Sequence, residues 1–219
     1  MKTRNIVLVM SFVLLSSCIV KSLHPFYTKE TIVSETQFLG KWEDDDGALW
    51  KVVLAKDEIL DGKPVGSLSK KDLKEFYKFQ HAYFIERTKK NEKTAFIATP
   101  FKINGQLFLD FIPFEIDGGF TTILLNVHLV ATHSLVKYDM LPNGEISFKW
   151  LDEDKVAALF EEKKIKIKHE KIGLLNDKFL LTAKSEELQK FIVKYMTSND
   201  MEKWKTSTKF TLTKVDATP

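Results

Sequence analysis

The sequence predicts a mainly β (α+β) protein: a single antiparallel barrel of about 8–10 strands with a C-terminal amphipathic helix and one or two inserted helices. Three observations carry that expectation. Apolar residues alternate with polar ones over many short runs, the period of a half-buried strand. Turn residues separate those runs at short spacing, as antiparallel hairpins require. Aromatic residues make up 12% of the chain, including 17 Phe, enough to fill a β-rich core or line an apolar pocket. Closure would also remove the unpaired edges that a long, aromatic-rich sheet exposes.

Organisation starts at Phe38. In "FLGKWE" and "ALWKVVLA" two apolar runs flank "DDDG", so a hairpin joins them, with Ala48, Trp50, Val52 and Leu54 on one face. Tyr83–Thr88, Thr94–Ile103 and Gln106–Phe111 follow as strands, the last two linked by Asn104-Gly105, a two-residue hairpin signal. Pro100 cannot donate to a ladder, so it predicts an edge or a bulge. Residues Ile123–Met140 are long enough for one bent strand or two. Pro142-Asn143-Gly144 then turns the chain into Ile146, Phe148 and Trp150, which alternate with polar residues. "IKIKHEKI", "KFLLTAK" and "TKFTLTKV" are the last strand candidates.

Helical spacing interrupts this meander. Leu188, Phe191, Ile192, Tyr195 and Met196 form an i, i+3, i+4, i+7, i+8 stripe, with Ser185 as N-cap and Glu186-Glu187 at the positive end of the dipole. A second helix is predicted from Asp152 to about Lys163, with acids first and lysines last. A third runs from Ser69 to about Gln80, opens on a Ser-x-x-Asp cap and buries Leu73, Phe76 and Tyr77.

The N-terminus predicts an address. MKTRN is short and basic, and Ile6–Leu15 is apolar and uncharged, which suits a signal-peptide core. A membrane span needs roughly 20 apolar residues, and Lys21 closes the run too early. The small residues Ser16 and Ser17 precede Cys18, the one cysteine in the chain. Residues 1–17 therefore read as a leader, 18–37 as a tether and 38–219 as one barrel domain. A hydrophobic leader with an incidental cysteine is the alternative. Without another thiol there is no disulfide framework or thiolate metal site. Lys and Arg number 33 against 30 Asp and Glu, and loss of Lys2 and Arg4 with the leader brings them close to balance. That excludes the clustered positive charge of a nucleic-acid groove.

Leu-Ser-Ser-Cys resembles a bacterial lipobox, which implies cleavage before Cys18 and diacylation of its thiol. Each buried CH₂ contributes about 0.8 kcal/mol, so two or three chains anchor durably. Ile19, in place of Asp, favours the outer membrane if enteric sorting applies. "FLGKWEDDDGALWKV" resembles the first strand of lipocalins and other calycins, which begins Gly-x-Trp; Gly40 and Trp42 fill those places. In that family the Trp closes one barrel end, and a helix and a short strand end the domain, as Ser185–Met196 and Lys209–Val215 would. Helices near 69–80 and 152–163 depart from the family's simple meander. "SLHPFYT", the Gly-x-Trp, an acid-rich helix and "TAKSEELQKFI" together resemble a group of uncharacterised Gram-negative envelope lipoproteins. These resemblances imply a lipid-anchored, exported protein, and with the aromatic-rich strands they lead to a barrel that holds a small apolar ligand. The alternative is a protein that docks on an envelope protein partner through its charged helices and the Lys-rich strand Lys164–Lys171.

Trp42, Trp50, Phe111, Phe148 and Trp150, with Gly40, are the candidate barrel-closing or pocket residues. Asp110 lies inside the apolar "LFLDFIPF" and, if buried, needs a partner. His128 and His133 are five apart, so an unbulged strand sends them to opposite faces, and no metal is expected there. His24 is expected to help dock the tether, while His81 and His169 read as boundary residues. "EDDDG" reads as a solvated turn rather than a calcium loop, since it runs straight into a strand. No phosphate loop or nucleophile elbow occurs, so the sequence calls for no cofactor and predicts a non-enzyme.

Overall fold

A computed structural model of the protein describes residues 19–114, 130–173 and 178–215. Its strands are β1 (Lys21–Ser22), β2 (Gly40–Asp44), β3 (Leu49–Leu54), β4 (Tyr83–Lys89), β5 (Glu92–Ile103), β6 (Gln106–Phe114), β7 (His133–Met140), β8 (Ile146–Trp150), β9 (His169–Ile172), β10 (Lys178–Leu181) and β11 (Lys209–Lys214). The helices are α1 (Ala55–Leu60), α2 (Lys70–Phe79), α3 (Glu153–Glu161) and α4 (Ser185–Met196).

Neighbouring strands run β6-β5-β4-β3-β2-β11-β8-β7, and β6 pairs again with β7, which closes an 8-strand antiparallel barrel. The architecture is lipocalin-like. The β2–β3 hairpin sets Trp42 directly opposite Trp50, so period-two alternation points both rings inward. At the β5–β6 turn Asn104 and Gly105 both take positive φ, 50° and 81°, as the primed hairpin turns require. Pro100 sits where one side of β5 is a local edge. It pairs with Leu109 of β6, while the β4 ladder ends at Ala98, so the strand's partner on that side has already left. Val33 fills the gap by donating its N–H to the Pro100 carbonyl at 3.0 Å.

A second layer covers one outer wall of the barrel. β7 extends beyond β8 and pairs with β1, which runs parallel to β10, and β9 ends the sheet. Phe101, Ile103, Phe108 and Leu135 face outward from the barrel into a core completed by Val20, Phe26, Val156, Phe179, Leu181, Leu188, Phe191 and Ile192. Residues 19–37 are thus part of the fold. Val20, Ser22 and Phe26 are fully buried, and Val20 donates to the Leu151 carbonyl.

The helices begin close to where sequence places them. Ser69 caps α2 by accepting from Asp72 N, and Asp152 caps α3 by accepting from Lys155 N. α4 starts one residue early: Lys184 is its N-cap, because Glu187 reaches back to accept from the Lys184 N–H at 3.2 Å. α2 buries none of its residues, and Tyr77 is exposed. The helix α1, where sequence shows only the tail of a strand, packs Ala55 against Ala82 and Ile97 on the outer face. Of "IKIKHEKI" only His169–Ile172 joins a ladder. Among the described residues no helix is long and apolar enough to cross a membrane.

Candidate functional site

The barrel interior gathers the aromatic candidates. Phe148 lies at its centre, with ring centroids 5.9 Å from Trp50, 6.2 Å from Phe111 and 6.2 Å from Trp150. Phe38, from the segment before β2, closes on the same ring at 5.1 Å and touches Trp42, Tyr83 and Tyr138. Trp42 donates its indole N–H to the Phe38 carbonyl at 2.8 Å, which ties this plug to the first strand. Gly40 stands apart. It is exposed at the start of β2, and its φ of +122° favours glycine there. One polar atom inside lacks a partner among the described residues: the Tyr138 hydroxyl. Burial pushes its pKa well above the ordinary phenol value, with Glu35 adding to the effect.

One end of the interior is closed by a cluster that the sequence reading did not find. Asp44 is buried and accepts from Trp50 Nε1 at 2.8 Å, Ala48 N at 2.8 Å and Arg87 Nη2 at 2.8 Å. The Arg87 guanidinium in turn lies over the Trp50 and Phe210 rings. Burial pushes the Asp44 carboxyl up, but the hydrogen bonds from Trp50, Ala48 and Arg87 outweigh it and hold the pKa below the usual carboxylate range. So "EDDDG" is a solvated turn only in part. The missed signal was period two: Asp44 follows Trp42 and Arg87 follows Ile85 on the same inward faces.

Asp110 is buried and has two partners. It sits on the outer face of β6, where Oδ2 accepts from Phe26 N at 2.7 Å and Oδ1 meets His133 Nδ1 at 2.5 Å. Burial pushes this carboxyl up, and His133 and Phe26 only partly offset it. The pair pins the N-terminal segment to β6 and β7, a positioning task. His24 is exposed, and its backbone N–H donates to Ser22 Oγ at 3.2 Å. His81 bonds Ser34 at 2.9 Å, and His169 stacks on Phe160 at 4.0 Å. Among the described residues no group of three or more His, Cys, Asp or Glu side chains could hold a metal. Cys18 and His128 lie outside the described residues.

Two neighbouring cavities open on the second layer, outside the barrel. One, of about 750 Å³, lies between residues 163–168 and α4; its neighbour, of about 600 Å³, shares Lys164, Ile165, Phe191 and Lys194 with it and runs on to Leu159 and Tyr195. The fold defines the class as an eight-stranded antiparallel barrel carrying an α/β outer layer. Beyond the class, no family model, curated protein or solved structure matches the chain.

Proposed function

We propose that this protein is a non-enzymatic lipoprotein of the bacterial envelope, held in the outer membrane by acyl chains on Cys18, whose barrel is a scaffold for contacts made by its outer layer. The supporting observation is the barrel interior: Phe38, Phe111, Phe148, Trp50 and Trp150 occupy it with their own rings. Barrels of about eight strands are either filled by side chains or hold one small ligand, and this packing favours the filled kind. Replacing Cys18 with Ser should move the protein from the membrane to the soluble fraction, and an unchanged distribution would sink the anchor. Crosslinking in cells should recover a specific envelope partner, and a blank result would count against the scaffold.

The Tyr138 hydroxyl favours one second reading, a small apolar ligand with a single polar group inside the barrel. Native mass spectrometry of the protein from its host would find such a molecule still bound. Its absence leaves the scaffold reading alone.

A further inference from the structure

The cavity beside α4 has a charge pattern of its own. Along residues 164–168 the lysines at 164, 166 and 168 are exposed, whereas Ile165 is half-buried and Ile167 buried. Period two in an extended chain spaces such lysines by about 7 Å along one side. Across the cavity Glu187, Lys190, Phe191 and Lys194 fall at i, i+3, i+4 and i+7, one face of α4. The result is a trough with lysines on both rims and Ile165, Ile167 and Phe191 at its floor. The ladder between β9 and β10 opens here: Thr182 N still donates to the Lys168 carbonyl, and three residues later the chain turns into α4.

The trough's one lining carboxylate and the nearest one beside it are already engaged. Glu187 accepts from the Lys184 N–H, and Glu162, at the end of the neighbouring cavity, holds Lys164 at 2.6 Å. Lys163, Lys166, Lys168, Lys190 and Lys194 have no carboxylate partner among the described residues. We propose that this trough binds an extended acidic segment of a partner protein, a run of consecutive Asp or Glu carrying one apolar side chain.

The charge geometry selects that occupant. A single phosphate is best held by donors converging on one point, whereas these lysines are spread along two rims. In an extended peptide successive side chains point to opposite sides, so consecutive carboxylates would meet the 164–168 row and the Lys190–Lys194 row in turn. An exposed pair contributes little alone, which favours a ligand engaging several lysines together. The lysine spacing is comparable to the screening length of about 8 Å at physiological ionic strength, so their fields add. Ile165, Ile167 and Phe191 would receive the apolar side chain. The inference rests on the scaffold reading and gives its outer layer a partner chemistry.

The test is fluorescence anisotropy on the detergent-solubilised full chain, with a labelled peptide of about seven glutamates interrupted by one central Leu, long enough to span the trough. Saturable binding is expected, weakening with added salt and falling about tenfold or more in the double variant Lys166→Glu/Lys190→Glu. Lys51→Glu, on the outer side of β3, should bind as the parent does. Thermal melts establish that each variant folds, and Lys166→Gln/Lys190→Gln replaces the reversal if it does not. No saturable binding, or binding indifferent to both double variants, overturns the proposal. Tighter, lysine-dependent binding to phosphatidylglycerol vesicles than to the peptide would overturn it in favour of a lipid surface. Because the peptide assay does not need the anchor, Cys18→Ser should bind as the parent does. A failure of membrane localisation is therefore read separately.

Discussion

Two cores share the barrel wall, and they differ in what closes them. The interior is filled by aromatic residues from almost every barrel strand around Phe148, and its buried carboxylate, Asp44, faces an arginine. The outer core is assembled from segments far apart in sequence, residues 20–27, α3, residues 165–167, β10 and α4. Of the two buried carboxylates in this layer, Glu153 accepts from the Phe179 N–H and Asp110 faces a histidine and one backbone N–H. Asp44 accepts from three donors, one of them a guanidinium, and Asp110 from fewer. Burial raises both carboxyls; at Asp44 the hydrogen bonds from Trp50, Ala48 and Arg87 outweigh it and hold the pKa down, whereas at Asp110 His133 and Phe26 do not and the pKa stays raised. The carboxylate at the barrel's rim is thus stabilised in its charged form, and the carboxylate of the outer layer in its neutral form.

The largest effect should come from the barrel. Phe148→Ala removes a fully buried ring that touches Phe38, Trp50, Phe111, Tyr138 and Trp150. It should cost about 3–5 kcal/mol in urea unfolding followed by tryptophan fluorescence. A loss under about 1 kcal/mol would mean that the interior is loosely packed, and the filled-barrel reading would fail with it. Asp44→Ala comes next, at about 3 kcal/mol, because it leaves Arg87 without its partner in a site it shares with Trp50.

Asp110 should respond less, and with the opposite pH slope. Asp110→Asn keeps the shape but offers one acceptor oxygen to the two donors, a cost of about 1–3 kcal/mol. Its folded pKa lies above the ordinary carboxylate value, so the stability linked to its protonation is present below that value and lost as pH rises through the folded one. Asp44 runs the other way: its contribution is present above the ordinary value and lost as pH falls through its lowered one. The deficit of Asp110→Asn against the parent should therefore grow as pH falls toward about 4, whereas that of Asp44→Asn should hold level there and shrink only below about pH 4. Urea midpoints across the acid range measure both, and parallel slopes would erase the distinction between the two sites.

Legibility followed locality. The β2–β3 hairpin, the Asn104-Gly105 turn and the α4 stripe were readable because a few neighbouring residues decide them. Trp50, Phe111, Phe148 and Trp150 were readable as inward residues from period two, and they meet in one network. The Asp110 partners were not readable, since Phe26 lies 84 residues away and comes close only once the N-terminal segment packs on β6. Pro100 announced an edge correctly, but which side is open depends on where β4 ends and on Val33. The lysine trough was half visible, because residues 164–171 were lysine-rich in sequence but the facing side of α4 is set by tertiary packing.

The smallest expected effect tests whether the outer layer can loosen while the barrel holds. Asp152 caps α3, accepting from Lys155 N at 3.2 Å, and its backbone bridges to Ile19 where the described N-terminal segment begins. Asp152→Ala removes the cap oxygen and should cost about 1 kcal/mol. The loss should fall on α3 and the segment it holds, since Val156 belongs to the outer core and no α3 residue enters the barrel. Amide hydrogen exchange should then quicken in residues 19–28 and 153–161, with protection of β3, β4 and β5 unchanged. Equal quickening in the barrel strands would show that the two cores unfold as one unit.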